Sequence, residues 1–199
     1  MTRPYSSGAA RRNDIPASRR ILDAARQLVS EGGAAQLSMG DVAARAGVSK
    51  ALVHYHFTDK DSLVSALVDD VGRGIVERER AAIAGGRGGH ALDDYWLWLA
   101  AELAAGDAQI LTALAEYDSE RVRALSRRIA GERRAVAMEH VTHVFEGLSL
   151  TPRVPAALIA DTVVAFIDGL AAAYVLDPGR DPRPAFDVLW LALITLSDT

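Results

Sequence analysis

Residues 41–57, with the sequence DVAARAGVSKALVHYHF, contain one glycine between two short segments that have helical apolar spacing. Gly47 can adopt the left-handed backbone conformation, which costs other residues energy, so the chain can turn sharply there. Ala43 and Ala46 are small enough for the two helices to cross closely, and Ser49 can cap the second helix. The pattern predicts a helix-turn-helix, whose second helix can enter the major groove of DNA. Alone it is a weak signal, because such turns occur in many helical proteins.

The remaining apolar residues also follow helical spacing, and no segment alternates with the period of two that is typical of a strand. Half of the residues are hydrophobic, which is typical of a globular chain. Pro16 and Gly33 bound a first helix, while Ser38 and Asp59 are expected caps of the second and fourth. Further helices are predicted at about 91–105, 108–116, 119–146, 154–176 and 183–197. The sequence therefore predicts an all-α fold with about nine helices and no sheet.

We expect a flexible basic arm at 1–15, a three-helix helix-turn-helix domain at 16–62, and a larger helical regulatory and dimerisation domain at 63–199. The GGRGGH stretch at 85–90 interrupts the helical pattern between the fourth and fifth helices. Residues 1–60 carry nine Lys or Arg against five Asp or Glu, a net of +4, and the rest carries thirteen against twenty-one, a net of −8. A basic head on an acidic body indicates that only the head binds a polyanion.

Composition argues against several other classes of protein. The chain has no cysteine, so disulfides and thiolate metal sites are absent. No nucleophile motif, phosphate-binding loop or paired carboxylate constellation is present, which disfavours an enzyme. The N-terminal residues are polar and lack the apolar stretch of a signal peptide, so we expect a cytoplasmic protein. We expect neither a cofactor nor a metal.

Two histidines, His54 and His56, flank Tyr55 at the end of the predicted third helix. A metal site would need further ligands, and no suitably spaced acid pair lies nearby in the sequence. Side chains two positions apart on a helix also point in different directions. We therefore interpret this cluster as a surface that contacts phosphates and not as a metal or catalytic site.

A wider pattern supports the helix-turn-helix. The segments ILDAARQLVSEGG and LSMGDVAARAGVSKALVHYHFTDKDSLV, between residues 21 and 67, resemble the TetR/AcrR family of bacterial transcription regulators. The matching positions are Ser38, Ala43, Ala46, Gly47, Val48, Ser49, Tyr55, Phe57, Lys60 and Leu63. The resemblance implies a homodimeric repressor that a small-molecule ligand releases from a palindromic operator. A ligand-independent regulator or an activator with the same DNA-binding head is the alternative.

The resemblance also implies which residues contact DNA. The start of the recognition helix would lie nearest the bases; it consists of Ser49, Lys50, Ala51 and Leu52. Phosphates would be contacted by Ser38, His54, Tyr55 and Lys60. Relatives usually have an aromatic residue, most often tyrosine, in place of His54, so its contribution could depend on pH. Ala51 and Leu52 replace the commoner glycine and threonine, so relatives do not reveal the operator sequence.

The last two predicted helices, 154–176 and 183–197, are expected to pair two subunits. The final one is apolar nearly all round and must be covered on both sides, although burial within one subunit is the alternative. The segment 154–176 is apolar enough to suggest a membrane span. Asp161 and Asp168 argue against a span, because they give this helix one polar stripe, so we expect no membrane partner.

A ligand pocket is a further expectation for the body. Its predicted walls are Trp96, Trp98, Tyr117, His140, Phe145, Phe166 and Tyr174. Aromatic residues at helical spacing are also typical of an ordinary core. His140 and His143, with neighbouring glutamates, could bind a metal, but a solvated face is the simpler reading. The long helix at 119–146 carries arginines at 121, 123, 127, 128, 133 and 134, which we expect on its outer side; binding of an anionic ligand is the alternative.

Overall fold

The structure, a computed structural model, describes residues 15–85 and 90–198. Helices form nearly all of this part, which confirms the all-α prediction. The nine α-helices of the described residues are α1 Ala17–Gly32, α2 Met39–Ala46, α3 Lys50–His56, α4 Lys60–Gly85, α5 Ala91–Ala105, α6 Asp107–Ala115, α7 Glu120–Gly147, α8 Ala156–Leu176 and α9 Arg183–Thr195. The predicted helices agree with these bounds to within about two residues.

Two expectations fall partly or wholly outside this description. The basic arm predicted at 1–15 is described only at residue 15, and the interruption at 85–90 includes residues 86–89, which also lie outside the described residues. The proposed domain boundary between residues 62 and 63 falls inside the first turns of α4, which continues without a break to Gly85. Helix α4 therefore belongs to both the head and the body.

One small element was not predicted. Thr151–Pro152 and Ser197–Asp198 form a two-residue antiparallel ladder, which is too short to change the all-α fold. Arg153 N–H also donates to Leu196 O at 2.9 Å. Such short pairings join the loop before α8 to the segment after α9, and segments of two residues carry too little periodicity to be recognised in a sequence.

In the head, α1, α2 and α3 pack around one apolar centre that α4 completes. Ile21, Val42, Val53 and Leu63, one from each helix, are fully buried. Burial of such side chains contributes about 1.5–3 kcal/mol each relative to exposure. The head therefore has a core of its own, which holds the helix-turn-helix in a fixed orientation.

In the body, the long helices α4 and α7 pack along each other, and α7 packs in turn against α8. The two helices approach closely at Gly72, where a β-carbon would lie 2.5 Å from Ile129 Cγ2. Several aromatic residues fill the space between α5, α7 and α9, with Tyr95 and Trp190 nearly inaccessible to solvent. A glycine at the crossing therefore sets how closely α4 and α7 can pack.

The arginines of α7 do more than cover its outer side. Arg128 pairs with Asp69 of α4 at 2.6 Å, and Arg133 pairs with Asp168 of α8 at 2.6 Å. Arg134 pairs with Asp161 of α8. The prediction of an outward position was wrong for Arg133, whose side chain is only 11% exposed. The two aspartates of α8 thus fasten that helix to α7.

Among the described residues, α8 is the one single helix whose length and apolar composition would allow it to span a membrane. Five of its side chains, spaced to fall on one face, are buried in the body: Ile159, Ala160, Val163, Ile167 and Ala171. The polar stripe predicted from its two aspartates faces α7.

Candidate nucleic-acid interface and body cavity

The helix-turn-helix is fixed by hydrogen bonds within the segment itself. Ser38 Oγ accepts from the Asp41 N–H at 3.1 Å at the start of α2, and Ser49 Oγ accepts from the Leu52 N–H at 3.1 Å at the start of α3. Between the helices Gly47 has φ 65° and ψ 40°, the left-handed conformation. These contacts confirm the predicted caps and turn, and they fix the direction in which α3 leaves α2.

Helix α3 presents its predicted contact residues on the outside of the head. Ser49, Lys50, Ala51 and His54 are exposed, Leu52 is half-buried, and Val53 is fully buried on the opposite side. Tyr55 is 82% exposed, although a tyrosine ring normally buries much of its area. A large aromatic side chain held outward by a short, well-capped helix is suited to contact a partner surface.

His54 has a defined orientation. Its Nδ1 lies 3.2 Å from the carbonyl oxygen of Thr58. Because a carbonyl can only accept, Nδ1 carries the hydrogen, and in the neutral ring Nε2 is then a bare acceptor. Only the protonated imidazole can donate from Nε2 toward a phosphate.

The two remaining predicted phosphate contacts differ in their surroundings. Ser38 is exposed at the start of α2, where its hydroxyl also lies 2.5 Å from Asp41 Oδ2. Lys60, the first residue of α4, is half-buried, and its Nζ lies 3.4 Å from the carbonyl oxygen of Ala35. That ammonium also lies 5.3 Å from the ring centroid of Tyr117, a residue of the body.

Comparison with known proteins agrees with this geometry. Residues 21–67 match the model of the bacterial regulatory proteins of the tetR family. The match runs from α1 into the first turns of α4, and the rest of the chain lies outside it. An HTH-type transcriptional repressor, Rv3405c, of Mycobacterium tuberculosis is 48% identical over 52 residues, which are 26% of this chain and 28% of the relative. An HTH-type transcriptional regulator, Mb3439c, of Mycobacterium bovis matches to the same extent. The match thus spans little more than a quarter of these curated relatives.

Solved structures share the fold over almost the whole chain. A transcriptional regulator from Rhodococcus sp. Rha1 has a TM-score of 0.75 at 21% identity, covering 92% of this chain and 99% of the other. FadR from Bacillus subtilis, solved in complex with stearoyl-CoA, has a TM-score of 0.70 at 15% identity, covering 88% and 97%. At such identities the likeness shows the fold: a helix-turn-helix head on a helical body.

The residues predicted to line one pocket lie in four separate places. Trp98, His140 and Phe145 are buried in the core, where the Tyr95 ring centroid lies 3.7 Å from that of His140. Trp96 is half-buried beneath Arg183, at 5.2 Å. Tyr117 lies under Lys60 at the junction with the head. Helical spacing predicts that these side chains lie on the inner faces of their helices. It does not predict which other helix packs against each of them.

Phe166 and Tyr174 do line a cavity, with a volume of about 660 Å³. Its other apolar walls come from the end of α8 and the beginning of α9, including Leu170, Pro182 and Pro184. These residues were not among the predicted pocket walls. Prolines between two apolar helices were the available signal, because proline cannot continue a helix and so separates the ends of the two helices.

His140 has a buried acidic neighbour that was also missed. Glu79 Oε1 lies 3.7 Å from His140 Nδ1 and 3.4 Å from Tyr95 Oη. Burial raises the pKa of Tyr95 well above its usual value, and the nearby Glu79 raises it further. No group of three or more potential metal ligands converges anywhere in residues 15–85 and 90–198.

A cluster of charged side chains around α6 also joins the head to the body, in addition to the contact between Lys60 and Tyr117. Asp107, at the start of α6, is 2.5 Å from an Arg26 nitrogen of α1 and 2.7 Å from an Arg78 nitrogen of α4. Burial raises the pKa of Asp107, while the two arginines oppose that shift. Since buried carboxylates are costly unless paired, these arginines hold α6 against the head.

Proposed function

We propose that this protein is a homodimeric, DNA-binding transcriptional repressor that leaves a palindromic operator when a small molecule binds its body. The observation that carries the DNA-binding part is the exposed, capped helix α3 in a segment that matches the tetR family. The proposed role is regulatory and non-enzymatic, and it is exercised in the cytoplasm. A ligand-independent regulator or activator is the alternative.

In this proposal α3 enters the major groove. Ser49, Lys50, Ala51 and Leu52 face base edges, since residues at the start of a recognition helix lie nearest the bases. Ser38, His54 and Tyr55 contact phosphates and fix the orientation of the head. Their exposure in the free protein leaves these side chains available to DNA without a rearrangement of the head core.

Dimerisation is proposed through the face formed by the exposed side chains of α8 and α9. On this α8–α9 face Leu158, Val188 and Leu191 are 56%, 67% and 65% exposed. Ala172 and Gly169 are exposed beside them, and small residues permit close approach of helices. A two-fold dimer would place two recognition helices on the two halves of a palindrome. The other side of α9, with Phe186, is already buried within the chain.

The effector is proposed to occupy the cavity beside Phe166 and Tyr174. Its volume of about 660 Å³ falls in the range that small-molecule sites occupy, and its walls are mostly apolar. Proteins of the same fold have been solved with small molecules, FadR with stearoyl-CoA and SmeT with triclosan. Those ligands belong to those proteins; for this chain we propose an apolar effector of unidentified structure.

Footprinting on the DNA upstream of its own gene tests the proposal. The wild-type protein is expected to protect a palindrome whose half-sites are about 34–36 Å apart. Lys50→Ala should weaken operator binding about tenfold or more and alter the sequence preference, because it removes a base-facing donor. Arg180→Ala, which removes an exposed charge from the body, should bind as wild type. Equal loss in both variants would contradict the assignment of α3.

The same footprint distinguishes the repressor from its alternative. Small apolar metabolites added to the complex should include one that abolishes protection of the operator. Filling the cavity with Leu170→Trp, at a half-buried residue of its wall, should block that release while leaving DNA binding intact. A screen in which no compound releases the DNA would favour ligand-independent regulation.

His54 predicts that operator affinity depends on pH. Because Nδ1–H donates to the Thr58 carbonyl, the ring must gain a proton before Nε2 can donate to a phosphate. Because only the charged ring can make this donation, operator affinity at about pH 6 should exceed the affinity at about pH 8. His54→Tyr should flatten the profile, because a phenol donates throughout this range. Fluorescence anisotropy at each pH measures both proteins, and identical profiles would contradict the prediction.

A further inference from the structure

Lys60 links the two parts of the molecule. It is the first residue of α4, in the head, and Tyr117 lies in the turn between α6 and α7, in the body. The ammonium lies 5.3 Å from the centroid of the Tyr117 ring, within the range of a cation–π contact. Its hydrogen-bond acceptor is the carbonyl oxygen of Ala35, at 3.4 Å.

The groups around the Lys60 ammonium explain why it stays close to Tyr117 and Ala35. A cation at the N-terminus of a helix is unfavourable next to the positive end of the helix dipole, so other groups must stabilise it. The Tyr117 ring face and the Ala35 carbonyl supply negative potential. Burial raises the pKa of Tyr117, and so do Asp61 and Asp59, whose carboxylates act on the same small region. Lys60 therefore has intramolecular partners in the free protein.

We propose that Tyr117 is a positioning residue that competes with DNA for Lys60. The inference rests on the proposed DNA binding, in which Lys60 contacts a phosphate. The ammonium ends a flexible four-carbon stem, and in this proposal the stem must move away from the ring before the ammonium can reach a phosphate. Binding of DNA then breaks the contact between Lys60 and Tyr117. Because this contact must be lost, Tyr117 lowers the affinity of the head for DNA.

A hydrogen bond between α6 and α8 connects the segment that carries Tyr117 to the cavity. Gln109 of α6 donates from Nε2 to the carbonyl oxygen of Ala171 of α8 at 2.7 Å. Leu170 and Ala173 lie on either side of Ala171 along α8, and both line the cavity. A ligand that displaces this part of α8 would move α6, and with it the turn that carries Tyr117.

A double-mutant cycle on DNA affinity tests the competition. Tyr117→Leu should tighten binding about two- to fivefold, because the contact that DNA must break is gone. In a Lys60→Met background the same substitution should change affinity by less than 1.5-fold. Tyr117→Phe keeps the ring face and should behave as wild type. An equal effect of Tyr117→Leu in both backgrounds, or no effect in either, would overturn the proposal.

A DNA-free measurement separates this inference from the proposed function. Lys50 and Lys60 are the two lysines of the chain, so an amine-reactive reagent followed by peptide mass spectrometry compares them directly. Lys60 should react at least threefold more slowly than exposed Lys50 in the wild type, and Tyr117→Leu should remove that difference. Unchanged labelling of Lys60 would overturn the contact. A wild type that binds no DNA would overturn the proposed function, while this labelling would still decide whether Tyr117 holds Lys60.

Discussion

Replacing Gly72 with alanine is expected to destabilise the protein by about 1–3 kcal/mol, the usual cost of overpacking a core. The new β-carbon would lie 2.5 Å from Cγ2 and 2.8 Å from Cγ1 of Ile129, so α4 and α7 would have to separate. Alanine is otherwise the better helix former by about 1 kcal/mol, so a loss of stability would come from the crossing itself. Urea unfolding followed by circular dichroism measures the free energy of unfolding.

Gly131→Ala is the matched control on α7. A β-carbon there meets nothing within 4 Å, so this substitution should be neutral or should stabilise the protein by up to about 1 kcal/mol. The loss of stability in the double variant Gly72→Ala with Ile129→Ala should be smaller than the sum of the two single losses, because Ile129→Ala removes the atoms that the new methyl group would meet. Stability in Gly72→Ala equal to that in Gly131→Ala would show that the helices do not cross so closely.

The head could be predicted in detail because its structure depends on local interactions. Ser38 and Ser49 cap helices through backbone groups three positions away, and Gly47 turns the chain with its own dihedral angles. Each of these interactions leaves a signature within a few residues of sequence. The exposed side of α3 then follows from helical spacing once Val53 is placed in the core.

The body was predicted less well because its functional contacts join distant segments. Tyr117 and Lys60 are far apart in sequence, and no periodicity relates them. Asp161 and Asp168 were correctly placed on one side of α8, but spacing could not show that α7 arginines face them. Spacing tells which residues share a face of a helix, whereas the partner of that face depends on tertiary packing.

Replacing Leu191 with arginine is expected to convert the proposed dimer into monomers and to weaken operator binding about 10²–10⁴-fold. The leucine is 65% exposed on the α8–α9 face, so a single chain tolerates the charge, but a second copy would bury it. Monomers bind each half-site separately and lose the effective concentration that linked heads provide. Analytical ultracentrifugation and anisotropy on an operator and on a half-site measure both effects.

Leu97→Arg is the control, because this leucine of α5 is 66% exposed and lies outside the α8–α9 face. It should leave the dimer and operator binding unchanged, so the same charge added at equal exposure distinguishes an interface from ordinary surface. The two variants should also bind an isolated half-site equally, since neither substitution touches α3. Dimers that persist in Leu191→Arg would place the interface elsewhere. A dimer lost without any loss of operator affinity would mean that one head is sufficient, and a palindromic operator would then not be required.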